Sequence, residues 1–253
     1  LMILIVGKLF APASKNVMKK PSVAIFFPVY SDEATVRTVA MKSLNVLSEI
    51  ASEKRVIIVD DGSPDRSGEI ADDIAAEYPD VLAVHHETNL GYGAALITGF
   101  KHAINYDWIC FLDGDDQYDA NDLKHMSKLF NHYDFIITFR YSKIYGTMRL
   151  FISYIYNLTL RLLFRSPFRD HSCGLKAIRS DIINDITITA NSPFVGAEII
   201  IKSMVRGYPI GEVGIKTYPR NFGESHSTSI KNIIASIRDM FRVYKEIFKQ
   251  YRI

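Results

Sequence analysis

The sequence predicts an α/β fold in which a mostly parallel sheet is flanked by helices. Short apolar runs alternate with longer segments of helical periodicity through the first half of the chain, and each run ends in turn-forming or acidic residues. Strands and helices that alternate in this way form parallel sheets with helices on both faces. At 253 residues the chain can bury one large core, so we expect one α/β domain with an appended segment.

Five strands are predicted in the first half, each bounded by its own local signals. Proline at position 79 ends the second helix, and a cluster from Asp60 to Pro64 turns the chain after the second strand. The expected strands are 23–29, 56–59, 81–84, 108–112 and 135–139, and the expected helices are 33–51, 67–78, a helix ending near 105, and 120–130.

The second half is more apolar and aromatic. We expect helices over 148–164 and 193–205, a strand over 210–216 and an amphipathic helix within 227–253. The apolar stripes of 148–164 and of the last segment are compatible with packing on the core, which is the commoner fate of such stripes. They are also compatible with docking at a membrane surface, with basic residues toward anionic head groups.

Composition excludes several classes of protein. The formal net charge is +2, which gives no reason to expect a nucleic-acid partner. Cys110 and Cys173 form no disulfide framework and fit a reducing compartment. No apolar run approaches the roughly 20 residues that a membrane span needs. Residues 1–17 are an uncertain N-terminal tail, 18–226 the expected domain and 227–253 the amphipathic segment.

An acidic cluster follows the fourth predicted strand. Asp113, Asp115 and Gln117 lie two residues apart, directly after a buried apolar run. A strand that ends in carboxylates places them at the carboxyl edge of the sheet, where open α/β folds bind ligands. Hard oxygen donors at this spacing suit Mg²⁺ or Mn²⁺ bridging phosphates. The alternative explanation of the same residues is an acidic turn that is exposed to solvent.

Three earlier loops can meet the acidic cluster at the same edge. They cover residues 28–33, 60–63 and 89–93. Each has an ordinary explanation, since the second is a good turn sequence and the third could simply cap a helix. Their order after successive strands is what favours a nucleotide pocket.

With these motifs the chain resembles the inverting nucleotide-sugar glycosyltransferases of the GT-A (Rossmann-like) fold, family 2, and within them dolichyl-phosphate mannose synthases and polyprenyl-phosphate glycosyltransferases. The resemblance rests on PVYSDE, VDDGSPDRS, NLGYGAAL, DGDDQYDANDL, DHSCGLKAIRSDI and YPRNFGESH, and runs from about residue 23 to residue 229. It implies transfer of a hexose from a UDP- or GDP-sugar to a polyprenyl phosphate, with Mg²⁺ or Mn²⁺ as cofactor.

The resemblance also implies roles for individual residues. The nucleotide-binding set is Pro28, Tyr30, Asp32, Asp60, Asp113 and Gly114. The metal ligands are Asp113, Asp115 and Gln117, and the acceptor phosphate is held by Arg140, Arg149, Ser153 and Arg220. Asp115, Asp170, Arg140 and Arg149 are the expected catalytic residues. Each arginine, judged singly, is as easily an ordinary surface charge.

The chain departs from the family pattern in three places. The usual glutamate of the first loop is Asp32, with Glu33 next to it as an alternative. His226 stands where a basic residue commonly follows Gly-Glu-Ser, and the loop from Arg140 to Arg149 is short. Lys176 matches a position usually filled by Lys or Arg, where it would bind phosphate or face solvent.

The acceptor decides whether a base is needed. A phosphomonoester is mostly dianionic at neutral pH and is itself the nucleophile. A sugar hydroxyl would need a general base, for which Asp170 is the best candidate, while His171 is expected to be a structural loop histidine. Transfer to a saccharide hydroxyl and a non-catalytic nucleotide-binding protein therefore remain as alternatives. We expect a cytoplasmic protein, peripheral at the cytoplasmic face of a membrane, which could rely on a separate membrane subunit.

Overall fold

The computed structural model of the chain describes residues 20–142, 147–219 and 229–251. Within these ranges the strands are β1 (Ser22–Val29), β2 (Glu53–Asp60), β3 (Val81–His85), β4 (Trp108–Phe111), β5 (Phe135–Ser142), β6 (Lys176–Arg179) and β7 (Ile210–Lys216). The helices are α1 (Val36–Ile50), α2 (Ser67–Glu77), α3 (Tyr92–Ala103), α4 (Asp122–Ser127), α5 (Thr147–Phe164), α6 (Ser180–Asp185), α7 (Val195–Val205) and α8 (Ile230–Tyr251).

The strands form one sheet in the order β3-β2-β1-β4-β6-β5-β7. Neighbouring strands are parallel except at β6, which runs antiparallel to both β4 and β5. The predicted mostly parallel sheet flanked by helices is therefore confirmed. The short elements β6 and α6 were not predicted, and α4 is shorter than the segment expected over 120–130.

Both faces of the sheet are covered. Alternate residues of β1 point to opposite faces, as the pleat requires, so that Phe26 belongs to the core beneath α3 while Ile25 and Phe27 belong to the core beneath α1. Helix α3 lies directly on β1, because a Cβ atom at Gly99 would come within 2.1 Å of the Phe26 ring. This close contact fixes the height of α3 above the sheet.

Helix α8 packs on the core along one face only. Met240, Val243 and Ile247 are buried, and Lys202 of α7 binds Glu246 at 2.9 Å. The opposite face leaves large apolar side chains exposed, with Phe241 at 51%. Helix α5 likewise buries one face and leaves large apolar side chains exposed on the other. Its Phe164 ring lies 5.9 Å from the ring of Tyr244 in α8. None of the described helices combines the length and apolarity required to cross a bilayer.

Candidate active site

The candidate site lies at the edge of the sheet where β1, β2 and β4 end. Strand β1 has β2 on one side and β4 on the other, and such a change of direction opens a crevice at the carboxyl ends of the strands. The first loop and the acidic loop touch there: Thr35 Oγ1 donates to the Gly114 carbonyl at 2.7 Å. A Cβ atom at Gly114 would lie 2.6 Å from the Pro28 carbonyl oxygen, so this approach requires glycine.

Asp60 lies in the second loop, with only 6% of its surface exposed. Its Oδ1 accepts from the Ser63 amide at 3.0 Å, and its Oδ2 lies 3.0 Å from His85 Nδ1, because the β2–β3 register sets these two residues side by side. His85 Nε2 also contacts Asp72 at 3.0 Å. Partial burial lowers the pKa of His85, but its hydrogen bonds to Asp60 and Asp72 outweigh this effect and raise it.

The first loop is tightly turned. Ser31 has a left-handed φ of 59°, and the Tyr30 amide donates to Asp32 Oδ2 at 3.1 Å. Glu33, the alternative to Asp32, accepts from the Arg66 amide at 3.1 Å and thereby joins the start of α2. Of the two acids, Asp32 is therefore the one that stays beside Tyr30.

Asp61 holds the third loop against the second. Its carboxylate is 3% exposed and accepts from the amides of Leu90 at 2.9 Å and Gly91 at 2.8 Å. His86 Nδ1 lies 2.7 Å from the same carboxylate, and His86 Nε2 contacts Thr98 Oγ1 at 2.9 Å. The start of α3 is therefore fixed relative to the second loop.

The acidic loop presents Asp113 and Asp115 at the crevice. Tyr92 donates its hydroxyl proton to Asp113 Oδ1 at 2.8 Å, and Asp115 Oδ1 accepts from the Gln117 amide at 3.2 Å. Burial and the charge of Asp113 raise the pKa of Tyr92 well above its ordinary value, so its hydroxyl remains a donor. A Cβ atom at Gly174 would lie 2.4 Å from Asp113 Oδ2, which leaves no room for a larger residue there.

The other two polar residues of the acidic loop have different environments. Gln117 is buried, and its Nε2 donates to the Tyr218 carbonyl at 3.3 Å, which leaves its side-chain oxygen as an acceptor. Asp116 adopts a left-handed φ of 56° and pairs with Lys42 of α1 at 2.7 Å. Asp116 thus supports the loop.

The donors in this loop fit a divalent ion. No three acidic, histidine or cysteine side chains converge into a closed cage within residues 20–142, 147–219 and 229–251. Mg²⁺ typically takes only one or two carboxylates and completes its shell with water and substrate phosphates, so an open set of Asp113, Asp115 and Gln117 suits it. These are hard oxygen donors, as Mg²⁺ and Mn²⁺ prefer.

Arg140 and Asp170 meet on the other side of the acidic loop. Arg140 donates from Nε to Asp170 Oδ2 at 2.8 Å and from Nη2 to Oδ1 at 3.0 Å. Asp170 also accepts from the amide and hydroxyl of Ser172, at 3.1 and 2.8 Å. Asn157 of α5 approaches the same carboxylate at 3.5 Å, and it donates to the Ser153 carbonyl one turn earlier. Ser153 therefore lies one helical turn before Asn157, the residue of α5 that contacts Asp170.

His171 is a structural histidine in its environment. It is 1% exposed, and its Nδ1 lies 3.2 Å from Asn157 Oδ1, which can only accept. Nε2 must then accept from the Ser166 hydroxyl at 2.7 Å. Burial lowers its pKa to about 4, so the ring is neutral at physiological pH.

Lys176 does not face solvent, contrary to one of the two expectations for it. It opens β6, is 2% exposed, and donates to the Cys173 carbonyl. Its ammonium lies 5.2 Å from the centre of the Phe111 ring. Burial lowers the pKa of Lys176, and the charges of Asp113 and Asp170 oppose that shift. The lysine therefore lies between the acidic loop and the Arg140–Asp170 pair.

Two predicted phosphate ligands lie outside the description. Arg149 occupies α5 one turn before Ser153, but its side chain is outside the described set. Arg220 and His226 fall within 220–228, which lies outside the described residues. Their roles stay predictions.

Sequence reasoning missed the residues that hold the loops together: Asp61, His85, His86, Tyr92 and Asn157. The signal that could have found three of them, Asp61, His85 and His86, is the pairing of two dipeptides at the ends of neighbouring strands. Asp60-Asp61 lies at the end of β2, and His85-His86 lies at the end of β3. The two strands are parallel neighbours whose register pairs Asp60 with His85, so the two dipeptides come into contact. Without the register, the histidines look like ordinary loop residues.

Comparison with known proteins identifies the family. The model for glycosyl transferase family 2 matches residues 24–187. Glycosyltransferase AglD of Haloferax volcanii is 25% identical over 247 residues, covering 91% of this chain and 38% of the relative. Undecaprenyl-phosphate mannosyltransferase of Micrococcus luteus is 30% identical over 195 residues, covering 72% of this chain and 79% of the relative.

A third relative is undecaprenyl-phosphate 4-deoxy-4-formamido-L-arabinose transferase of Pectobacterium atrosepticum, 28% identical over 166 residues, with 64% of this chain and 50% of the relative covered. The chain thus spans only 38% of the first relative and half of the third.

Solved structures give the same fold. Glucosyl-3-phosphoglycerate synthase of Mycobacterium tuberculosis, in complex with Mn²⁺, UDP-glucose and phosphoglyceric acid, superposes with a TM-score of 0.69 at 16% identity, covering 96% of this chain and 86% of that one. The predicted GT-A fold and the predicted kind of enzyme are both confirmed, and the chain belongs to glycosyl transferase family 2.

Proposed function

We propose that this glycosyltransferase moves a hexose from a UDP- or GDP-sugar to a polyprenyl phosphate, with inversion at the anomeric carbon and with a bound divalent ion. The observation that carries the proposal is the state of Asp170. The best candidate for a general base is 2% exposed and engaged by Arg140 through two hydrogen bonds. An acceptor that already carries its own nucleophile fits such a site.

The donor would occupy the edge formed by the first, second and acidic loops. Tyr30 offers an aromatic face for the base, and Asp60 offers carboxylate oxygens for a ring N–H. Pro28, Asp32 and Gly114 would line the same crevice, since the first loop and the acidic loop touch there. Asp113, Asp115 and Gln117 would hold Mg²⁺ or Mn²⁺, which when bound neutralises charge on the leaving diphosphate.

The acceptor would approach from the side of α5. Arg140 and Asp170 lie there, and Asn157 of α5 contacts Asp170 one helical turn after Ser153. Ser153, Arg149 and Arg220 belong to the same proposed phosphate-binding set as Arg140. A guanidinium matches phosphate oxygens with a fork of donors. Asp170 would then position Arg140 instead of removing a proton.

In the proposed reaction one acceptor phosphate oxygen forms a bond to the anomeric carbon as the bond to the nucleoside diphosphate breaks. A second phosphate pKa near ~6 leaves the acceptor mostly dianionic at neutral pH, so no proton has to be removed. The chain's own contribution is to hold both reactants in line and to balance their charges.

The exposed apolar surface supports a membrane-bound acceptor. Phe151 of α5 is 62% exposed and Ile234 of α8 is 54% exposed, and the two helices touch at Phe164 and Tyr244. The exposed basic residues of α8 are Lys231, Arg238, Arg242, Lys245 and Lys249. An apolar face with basic flanks suits docking on an anionic lipid surface. We propose peripheral attachment at the cytoplasmic face, with or without a membrane subunit.

The test is transfer of labelled sugar into organic-extractable lipid. The full chain is incubated with undecaprenyl or dolichyl phosphate, Mn²⁺ and a panel of UDP- and GDP-sugars. We expect labelled lipid, lost with EDTA and in Asp115→Ala but retained in Asp134→Ala, which alters an acid near the opposite edge of the sheet. Transfer that persists in EDTA would remove the metal from the proposal.

A hydroxyl acceptor remains the competing outcome. Label in a soluble saccharide instead of lipid, lost in Asp170→Asn while the fold is retained, would assign Asp170 as a base and overturn the lipid acceptor. Calorimetric binding of a nucleotide sugar without turnover on any acceptor would indicate a non-catalytic protein.

A further inference from the structure

Tyr92 touches a candidate metal ligand without belonging to any predicted set of site residues. It is the first residue of α3, and its hydroxyl donates to Asp113 Oδ1 at 2.8 Å. The sequence predicts that the loop 89–93 meets the acidic cluster, but it assigns no contact to Tyr92.

The backbone beneath Tyr92 is held on several sides. Asp61 accepts from the Leu90 and Gly91 amides, and Gly91 reaches this position with a φ of 94°, which favours glycine. On the opposite side, a Cβ atom at Gly93 would lie 2.2 Å from the Asn191 carbonyl oxygen. The start of α3 therefore cannot shift without breaking contacts to the second loop or to the chain before α7.

Asp113 is held from both of its oxygens. Tyr92 binds Oδ1, and Oδ2 lies against Gly174, where even a methyl group would not fit. The direction of the carboxylate is thus set by a hydroxyl whose own position is fixed by Asp61. Groups that hydrogen-bond to a ligating carboxylate orient it and tune its affinity for the ion.

We propose that Tyr92 is a positioning residue for the divalent ion, orienting the ligand Asp113, and that Asp61 anchors it. This inference rests on the proposed metal-dependent function. It adds that Asp61, Gly91 and Tyr92 couple the position of the second and third loops to that of the Asp113 carboxylate. Loss of the Tyr92 hydroxyl should weaken binding of the ion about 10- to 100-fold, the usual effect of removing such a partner.

The experiment titrates Mn²⁺ into the 253-residue chain by calorimetry. UDP or GDP, whichever the wild type binds, is present at saturation. Tyr92→Phe keeps the ring and removes the hydroxyl. We expect a weaker Mn²⁺ affinity, an unchanged melting temperature without ligand, and a transfer rate that recovers at high Mn²⁺. Tyr208→Phe is the matched control, because it removes a similar tyrosine-to-carboxylate hydrogen bond, 3.0 Å to Asp185, away from the site.

Asp61→Asn supplies the second variant. If the anchor is real, this change weakens Mn²⁺ binding in the wild-type background and adds little in the Tyr92→Phe background. Wild-type Mn²⁺ affinity in Tyr92→Phe overturns the inference while leaving the proposed function intact. Should Tyr92→Phe not fold, unchanged Mn²⁺ affinity in Asp61→Asn overturns it instead. A wild-type chain that binds no Mn²⁺ with either nucleotide overturns both proposals.

Discussion

Arg140 and Asp170 form a two-point ion pair almost completely removed from solvent. The two hydrogen bonds measure 2.8 and 3.0 Å, and the side chains are 7% and 2% exposed. Arg140 lies near the end of β5 and Asp170 lies in the loop before β6. The pair therefore joins two segments that meet at the same edge of the sheet.

Asp170→Asn should destabilise the fold. Removing one charge leaves Arg140 buried beside a neutral partner, and breaking a buried pair in this way costs about 3–5 kcal/mol. Urea denaturation measures the change in free energy of unfolding. Asp181→Asn is the control, since the Arg179–Asp181 pair is about half exposed and should contribute about 1 kcal/mol or less. Wild-type stability with lost transfer would contradict a positioning role for Asp170.

Stability should fall in mild acid through His171. Burial lowers its folded-state pKa from 6.5 to about 4. Above pH 6.5 the ring is neutral in both states and contributes nothing. Between the two values only the unfolded chain takes up the proton, so the free energy of unfolding decreases by about 2 kcal/mol between pH 7 and pH 5. Denaturation of the wild type and His171→Gln at both pH values checks this. Equal losses in the two proteins would argue against it.

Gly174→Ala should damage the metal site more than the fold. The added methyl group would lie 2.4 Å from Asp113 Oδ2, so the carboxylate has to turn away. We expect Mn²⁺ affinity, measured by calorimetry with nucleotide present, to fall at least tenfold. In the control Gly196→Ala the new methyl group would lie 3.5 Å from Lys176 Nζ, an ordinary contact. Equal affinities in the two variants would contradict the close packing at Gly174.

Binding to anionic vesicles should depend on the exposed face of α8. Phe241→Ser removes a half-exposed apolar side chain, and Lys245→Ala removes a basic flank worth about 1 kcal/mol near a charged membrane, or about fivefold in affinity. Vesicle flotation measures both. Lys101→Ala, an exposed lysine near the end of α3, is the charge control. If Phe241→Ser and Lys245→Ala both float like the wild type and the control, α8 does not dock on lipid.

Periodicity and turn chemistry predicted most of the fold. The five strands of the first half, with β7, lie close to their predicted bounds because each is rich in apolar residues and is bounded by turn signals. Strand β6 was missed since its four residues, Lys176–Arg179, begin and end with cations. A lysine at the start of a buried strand contradicts local preference, and only the tertiary environment of Phe111 and the Cys173 carbonyl accommodates it.

The roles assigned to the reactive groups of the candidate site stay predictions, and the residues that support those groups were not predicted. Asp113, Asp115 and Gln117 follow a strand, and their spacing is visible in the letters. The partners that orient them are not, because Tyr92 reaches Asp113 only through the height of α3 on the sheet. Arg140 and Asp170 were each assigned a separate role, whereas the structure pairs them. Contacts between distant segments depend on register and packing, which local patterns do not encode.

Because β6 runs antiparallel to β5, the segment between them is structurally separate from the loops that follow the other strands. Strand β5 leaves the sheet at the edge where the site lies, and β6 enters from that same edge. The described part of the segment between them, which includes α5, therefore starts and finishes beside the proposed acceptor site. The donor loops belong to other strands. Changes in the β5–β6 segment could therefore alter acceptor specificity during evolution without changes in the proposed donor site.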